Sequence, residues 1–86
     1  MRRAERKVPG GKLVQMTCVD GAVRLTGDFF LHPEDALPDL ESFLSTLAGD
    51  RDAMARAIGE HIERSGIRLI GLRPEDLVDL LAEVRT

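Results

Sequence analysis

The stretch Leu13-Val14-Gln15-Met16-Thr17-Cys18-Val19-Asp20-Gly21-Ala22-Val23-Arg24-Leu25-Thr26-Gly27-Asp28-Phe29-Phe30 decides the fold. Two β-prone runs, Leu13 to Val19 and Ala22 to Phe30, flank Asp20-Gly21. Asp-Gly favours a two-residue hairpin turn of type I′, in which both central residues need positive φ. The turn sets the register. Val19 pairs with Ala22, Cys18 with Val23, Met16 with Leu25, Val14 with Gly27 and Lys12 with Phe29. Cross-strand partners share a face and successive residues alternate. One face then carries Val14, Met16, Cys18, Val23, Leu25 and Phe29. The other carries Gln15, Thr17, Arg24 and Thr26, with Leu13, Asp28 and Phe30 at the open end. A slip of one residue mixes the two sets, so the pattern itself supports the register.

Outward from the hairpin, Pro9-Gly10-Gly11 reads as a loop. Residues 1–8 read as a flexible basic lead-in, and residues 9–86 as one domain. His32-Pro33-Glu34-Asp35 reads as a turn into a helix, with His32 as a capping residue at the junction. Pro38 fits only within that helix's first turn, so the helix should run from about Asp35 to Leu47. Its stripe is Leu37, Leu40, Leu44 and Leu47, with Phe43 beside it. Asp50 caps a second helix over Arg51 to Ser65, and Gly66 closes it. Met54, Ala57, Ile58, His61 and Ile62 recur there at helical spacing. Residues 67–72 read as a short third strand. Pro74-Glu75-Asp76 opens a last helix with Leu77, Val78, Leu81 and Val84 inside. The order β-β-α-α-β-α predicts a two-layer α+β domain, a hairpin plus a third short strand packed against three helices.

An 86-residue chain is one small domain. Its core supplies only about 3–5 kcal/mol of net stability. A deep pocket for a nucleotide and a second substrate would take up much of that core, which favours a binding or accessory role. The net charge of −3 is unevenly spread: Arg2, Arg3, Arg6, Lys7 and Lys12 against Glu5 leave an acidic remainder. An acidic body without a basic stripe argues against nucleic-acid binding. The basic start reads as a solvated, frayed terminus. A single cysteine excludes an internal disulfide and a thiolate metal cluster. No secretory signal and no membrane-spanning run is present, so the default compartment is cytoplasm.

No catalytic constellation stands out. Cys18 lies mid-strand on the apolar face, as a structural thiol does. His61 reads as a semi-buried packing residue. Two histidines far apart make no metal signature. The carboxylates at Glu34, Asp35, Asp39 and Glu41, and at Glu75, Asp76 and Asp79, suit helix N-terminal halves and solvent. Gly10-Gly11-Lys12 invites an anion-binding reading. It is not a phosphate-binding loop of the Walker type, because no Ser or Thr follows Lys12 and a strand follows where a helix should. Gly27 inside a strand marks a bulge or a close backbone approach. Adjacent Phe29 and Phe30 must point to opposite faces, so Phe30 is either covered by the lead-in or part of a contact surface.

Pro9-Gly10-Gly11-Lys12-Leu13-Val14 followed by Thr26-Gly27-Asp28-Phe29-Phe30-Leu31-His32-Pro33-Glu34 resembles the C-terminal, accessory domain of lipoate–protein ligases. It resembles most the type in which that domain is a separate small subunit. Leu47-Ala48-Gly49 and Ile70-Gly71-Leu72 with Pro74-Glu75-Asp76-Leu77 are loosely similar too. The hairpin departs from the family, whose members often carry a longer connection. The resemblance implies an accessory subunit of a two-component ligase, not catalytic alone, that assists activation of lipoate to lipoyl-adenylate on a separate catalytic subunit. The expected partner is that subunit, in a heterodimer, and indirectly a lipoyl-domain acceptor protein. ATP, Mg and lipoate are expected on the partner, with no cofactor or metal on this chain. The hairpin register brings the two motifs together as a contact patch for partner or nucleotide: Gly10, Gly11, Lys12 and Leu13 with Gly27, Asp28 and Phe30. The alternative is a stand-alone interaction or regulatory module without a ligase role. An independent small enzyme has no supporting residues.

Overall fold

The computed structural model describes residues 1–8, 10 and 12–85. The elements are β1 (Arg2–Val8), β2 (Lys12–Val19), β3 (Ala22–Gly27), β4 (Phe30–His32), a 3-10 turn (Glu34–Ala36), α1 (Leu37–Thr46), α2 (Arg51–Ser65), β5 (Arg68–Ile70) and α3 (Pro74–Val84). The fold is α+β, with two small antiparallel sheets in place of one. β1, β2 and β3 form the first, with β2 central; β4 and β5 form the second.

The hairpin has the expected register from Val19–Ala22 to Val14–Gly27. Asp20 and Gly21 both have positive φ, 51° and 82°, as a type I′ turn demands. Val14, Met16, Val23 and Leu25 are buried on one face. α1 covers β3, and α3 covers β1 and β2. Leu40 and Leu44 of α1 and Leu77, Leu80 and Leu81 of α3 are fully buried in the same core. Each such side chain stabilises the fold by about 1.5–3 kcal/mol relative to exposure. α2 lies over α3. Its bounds match the expected capping signals: Asp50 accepts a hydrogen bond from the Ala53 N–H at 2.8 Å, and Gly66 ends the helix at φ 69°.

Three sequence expectations are corrected. Residues 1–8 are not a frayed lead-in. Arg2–Val8 pairs along its whole length with β2, from Arg2–Cys18 to Val8–Lys12. Ala4 and Val8 enter the core, and Arg6, on the same face, reaches two carboxylates of α3. Second, the strand after α2 does not join the hairpin. Arg68, Leu69 and Ile70 pair instead with His32, Leu31 and Phe30. The chain order is therefore β-β-β-β-α-α-β-α, with β1 and β4 added to the expected set. Third, His32 caps no helix. It lies in β4, and the 3-10 turn that follows carries no side-chain cap. Pro38 is accommodated as expected, in the first turn of α1. The His32–Pro33 peptide is cis.

Candidate functional site

The site builds from Gly27. Its φ is +129°, and a Cβ there would lie 2.8 Å from the Val14 Cα and closer still to the Leu13 carbonyl. Only glycine lets β2 and the end of β3 approach this closely. The Asp28 N–H donates to that same Leu13 carbonyl at 3.0 Å. This bond closes the ladder, and Leu13, Gly27 and Asp28 come together as expected.

Beyond it the chain leaves β2. Lys12 has Val8 of β1 as its ladder partner, and the ladder to β3 stops short of Phe29. Phe30 crosses to β5 and pairs with Ile70. Gly11, the expected neighbour of Phe30, lies outside the described residues. Gly10 and Lys12 are exposed at the β1–β2 turn. The seven residues of the expected patch are thus not joined by one ladder: Leu13, Gly27 and Asp28 sit at the crossing, Lys12 begins β2 beside Leu13, Gly10 lies on the turn before it, and Phe30 is on the second sheet. The physical reason is the backbone at Gly27, whose positive φ redirects the strand that an uninterrupted ladder needs.

Phe29 and Phe30 do point apart. Phe29 packs half-buried against the core, and Phe30 is 70% exposed. The lead-in does not cover Phe30, because it is tied to β2 as β1. Ile70, directly opposite Phe30, is 55% exposed. Leu31 and Leu69, the pair behind them, face inward. The outer face of the β4–β5 ribbon therefore presents an apolar pair to solvent. Ile70 escapes notice in the sequence, where residues 67–72 read only as a short third strand. Beside this pair runs an open groove of about 440 Å³, lined by Leu25, Gly27, Phe29, Phe30, Leu31 and Leu37, with Glu34 also on its wall. Gly71, at φ 85°, brings the end of β5 to the other side of the same segment. A Cβ there would be 3.8 Å from the Asp28 carbonyl and 3.9 Å from the Phe29 Cα.

The remaining candidate groups have structural partners. His61 stacks on Phe43, with ring centroids 4.1 Å apart, and its Nε2 lies 3.0 Å from an Asp39 oxygen. It is the packing residue the helix pattern suggested, and it joins α2 to α1. Cys18 is half-buried, less enclosed than its mid-strand position suggested, because it pairs with Arg2 at the open end of β1. Among the described residues no group of three or more His, Cys, Asp or Glu side chains could hold a metal ion, and no helix is long and apolar enough to cross a membrane.

Two carboxylates depart from the solvated role their positions imply. Glu41 is buried and accepts a hydrogen bond from the Leu25 N–H at 2.8 Å. Asp76 is 1% exposed. It accepts from the Arg73 N–H at 2.9 Å, which caps α3, and from the Arg6 Nε at 3.2 Å. Burial by itself raises the Asp76 carboxyl, but the Arg73 backbone N–H and the Arg6 and Arg73 guanidinium groups outweigh it and hold the carboxyl below its ordinary value. Neither acid faces the groove, so both serve the scaffold.

No protein-family model and no curated protein matches the chain. Among solved structures, the chain is similar to one from an archaeal lipoylation system, a bi-partite lipoate protein ligase and its E2 lipoyl domain from Thermoplasma acidophilum. The two are 25% identical, superpose with a TM-score of 0.67, and the match covers 94% of each chain. The motif resemblance and the fold likeness thus point to the same group of ligase-related proteins. The parts quoted for the motif resemblance, the β1–β2 turn and the segment from Thr26 to Glu34, are those that flank the crossing at Gly27 and the exposed ribbon.

Proposed function

We propose that this chain is the accessory subunit of a two-component lipoate–protein ligase, assisting ATP-dependent activation of lipoate to lipoyl-adenylate on a separate catalytic subunit. The observation that carries this reading is the fold likeness over 94% of both chains to a component of a bi-partite ligase system. The small size of the domain agrees with a subunit that supplies contacts rather than chemistry. Among the described residues no group of three or more His, Cys, Asp or Glu side chains could hold the metal of a nucleotide–metal site. Gly10 and Lys12 are exposed, no Ser or Thr follows Lys12 in the sequence, and the groove beside Phe30 is largely apolar. ATP, Mg and lipoate then bind on the catalytic subunit, and the acceptor of the lipoyl group is a lipoyl-domain protein met by the heterodimer. This chain's part is to dock and to hold the catalytic subunit in the closed arrangement that activation needs.

Pyrophosphate release with ATP, Mg and lipoate tests the reading. The chain alone releases none, a separately encoded catalytic ligase subunit from the same genome is weak alone, and mixing the two restores activation. Full activation by the catalytic subunit without this chain overturns the assignment.

A further inference from the structure

Strand alternation gives the β4–β5 ribbon two unlike faces. Leu31 and Leu69 point into the protein; Phe30, His32, Arg68 and Ile70 point out. The outward set is ordered. Phe30 stands opposite Ile70 and His32 opposite Arg68, so one half of the face is apolar and the other carries a fixed cation. Among the described residues no carboxylate lies within ion-pair distance of Arg68. In a chain of net charge −3, this is an unneutralised positive spot beside two exposed hydrophobic side chains.

We infer that the outer face of the β4–β5 ribbon is the surface that docks on the catalytic ligase subunit, through an apolar socket rimmed by carboxylates. The inference rests on the accessory-subunit reading and names the surface it leaves open. Phe30 is both a knob, standing free of the sheet, and one wall of the groove beside it. A partner that receives Phe30 and Ile70 in a socket can lay an apolar side chain of its own into that groove. This is the knob-and-pocket geometry on which binding energy concentrates. The rim follows from Arg68: a desolvated guanidinium needs a carboxylate opposite, and the pair fixes orientation and speeds encounter.

A second copy of this chain fits the face less well. A two-fold interface uses the same surface on both copies, and the outward set of Phe30, His32, Arg68 and Ile70 offers no carboxylate to the Arg68 of a second copy. The open face of the β1–β2–β3 sheet is not a competitor. Its middle row of Leu13, Gln15 and Thr17 is half-buried, and Gln15 is already engaged with Glu5 at 2.8 Å.

The test is titration calorimetry of the full chain with the catalytic subunit. Phe30→Ser with Ile70→Ser should weaken binding by at least about 30-fold. Arg68→Glu should weaken it by about 10-fold and lower its salt dependence, through loss of charge complementarity. Circular dichroism and urea unfolding of these variants should match the unaltered chain, since the removed side chains are already exposed. Thr17→Lys, on the other sheet, should bind normally. Unaltered binding by the double variant, when the native chain binds, overturns the surface but leaves the accessory reading intact. A dimer of the isolated chain that dissociates on Phe30→Ser shows that a second copy occupies the face, and overturns the proposal. No binding by the native chain overturns the accessory reading and the surface with it.

Discussion

Arg6 on β1 and Asp76 on α3, seventy positions apart, meet through a 3.2 Å hydrogen-bonded ion pair in which the carboxylate is almost wholly buried. The same guanidinium reaches Asp79 at 3.0 Å, and Arg51 of α2 holds the other Asp79 oxygen. The pair therefore ties the first strand to the last helix, and through Asp79 to the middle one. Truncating Arg6 to alanine leaves Asp76 with Arg73 alone. Because the Arg6 side chain is itself about two-fifths exposed, water screens part of the loss, and about 1–2 kcal/mol is expected. Urea unfolding of Arg6→Ala measures it, and a change within error would show that β1 is held by its ladder alone.

The depressed Asp76 carboxyl makes stability depend on pH in a definite direction. Its charged form is favoured more in the folded chain than in the unfolded one. The stabilisation is therefore complete above the ordinary carboxylate range and is lost as pH falls through the lowered folded value. Native protein should lose urea resistance on acidification through and below the ordinary carboxylate range. Asp76→Asn should start lower and slope less over the same window. Equal slopes for the two proteins would assign the acid sensitivity to other carboxylates.

Glu41 and Ser45 close the outer edge of β3. Glu41 takes the Leu25 N–H at 2.8 Å and Ser45 Oγ takes the Val23 N–H at 2.9 Å, while Ser45 also donates to the Glu41 carbonyl at 2.7 Å. An open edge with these amides free is a template for pairing with other chains. Glu41→Leu should cost about 1–3 kcal/mol through the orphaned amide and should raise light scattering at high concentration. Glu41→Gln, which keeps an acceptor, should do less of both.

Gly27 is the hinge of the fold between the two sheets. Gly27→Ala meets both a disfavoured φ and the Leu13–Val14 backbone. A loss of about 2 kcal/mol or more is expected. Amide exchange at Asp28, whose N–H is bonded to Leu13, should quicken first. The comparison Gly10→Ala, at a position with open space around it but positive φ, should cost only the backbone strain. Near-equal losses at the two sites would show that the close approach at Gly27 contributes nothing.

Local signals determined much of this protein from its sequence. Asp20-Gly21 set the hairpin and its register because a two-residue turn leaves one way to pair the residues beside it. Asp50 and Gly66 bounded α2, and Pro74 began α3, because caps and proline act on neighbouring backbone. The opposite facing of Phe29 and Phe30 was readable because adjacent residues of a strand cannot share a face. What the tertiary structure decided is non-local. β1 shows no apolar alternation, since Arg6 stands on the core face and is made tolerable there only by Asp76, seventy positions away. Asp76 looks like a solvated helix-start acid until Arg6 covers it. The exposed face of Phe30 and Ile70 depends on β4 pairing with β5 across α1 and α2. Three residues on each strand carry too little pattern to name a distant partner. The turn at Gly27, which redirects the chain from one sheet to the next, is where the local reading of the hairpin gave way to long-range pairing.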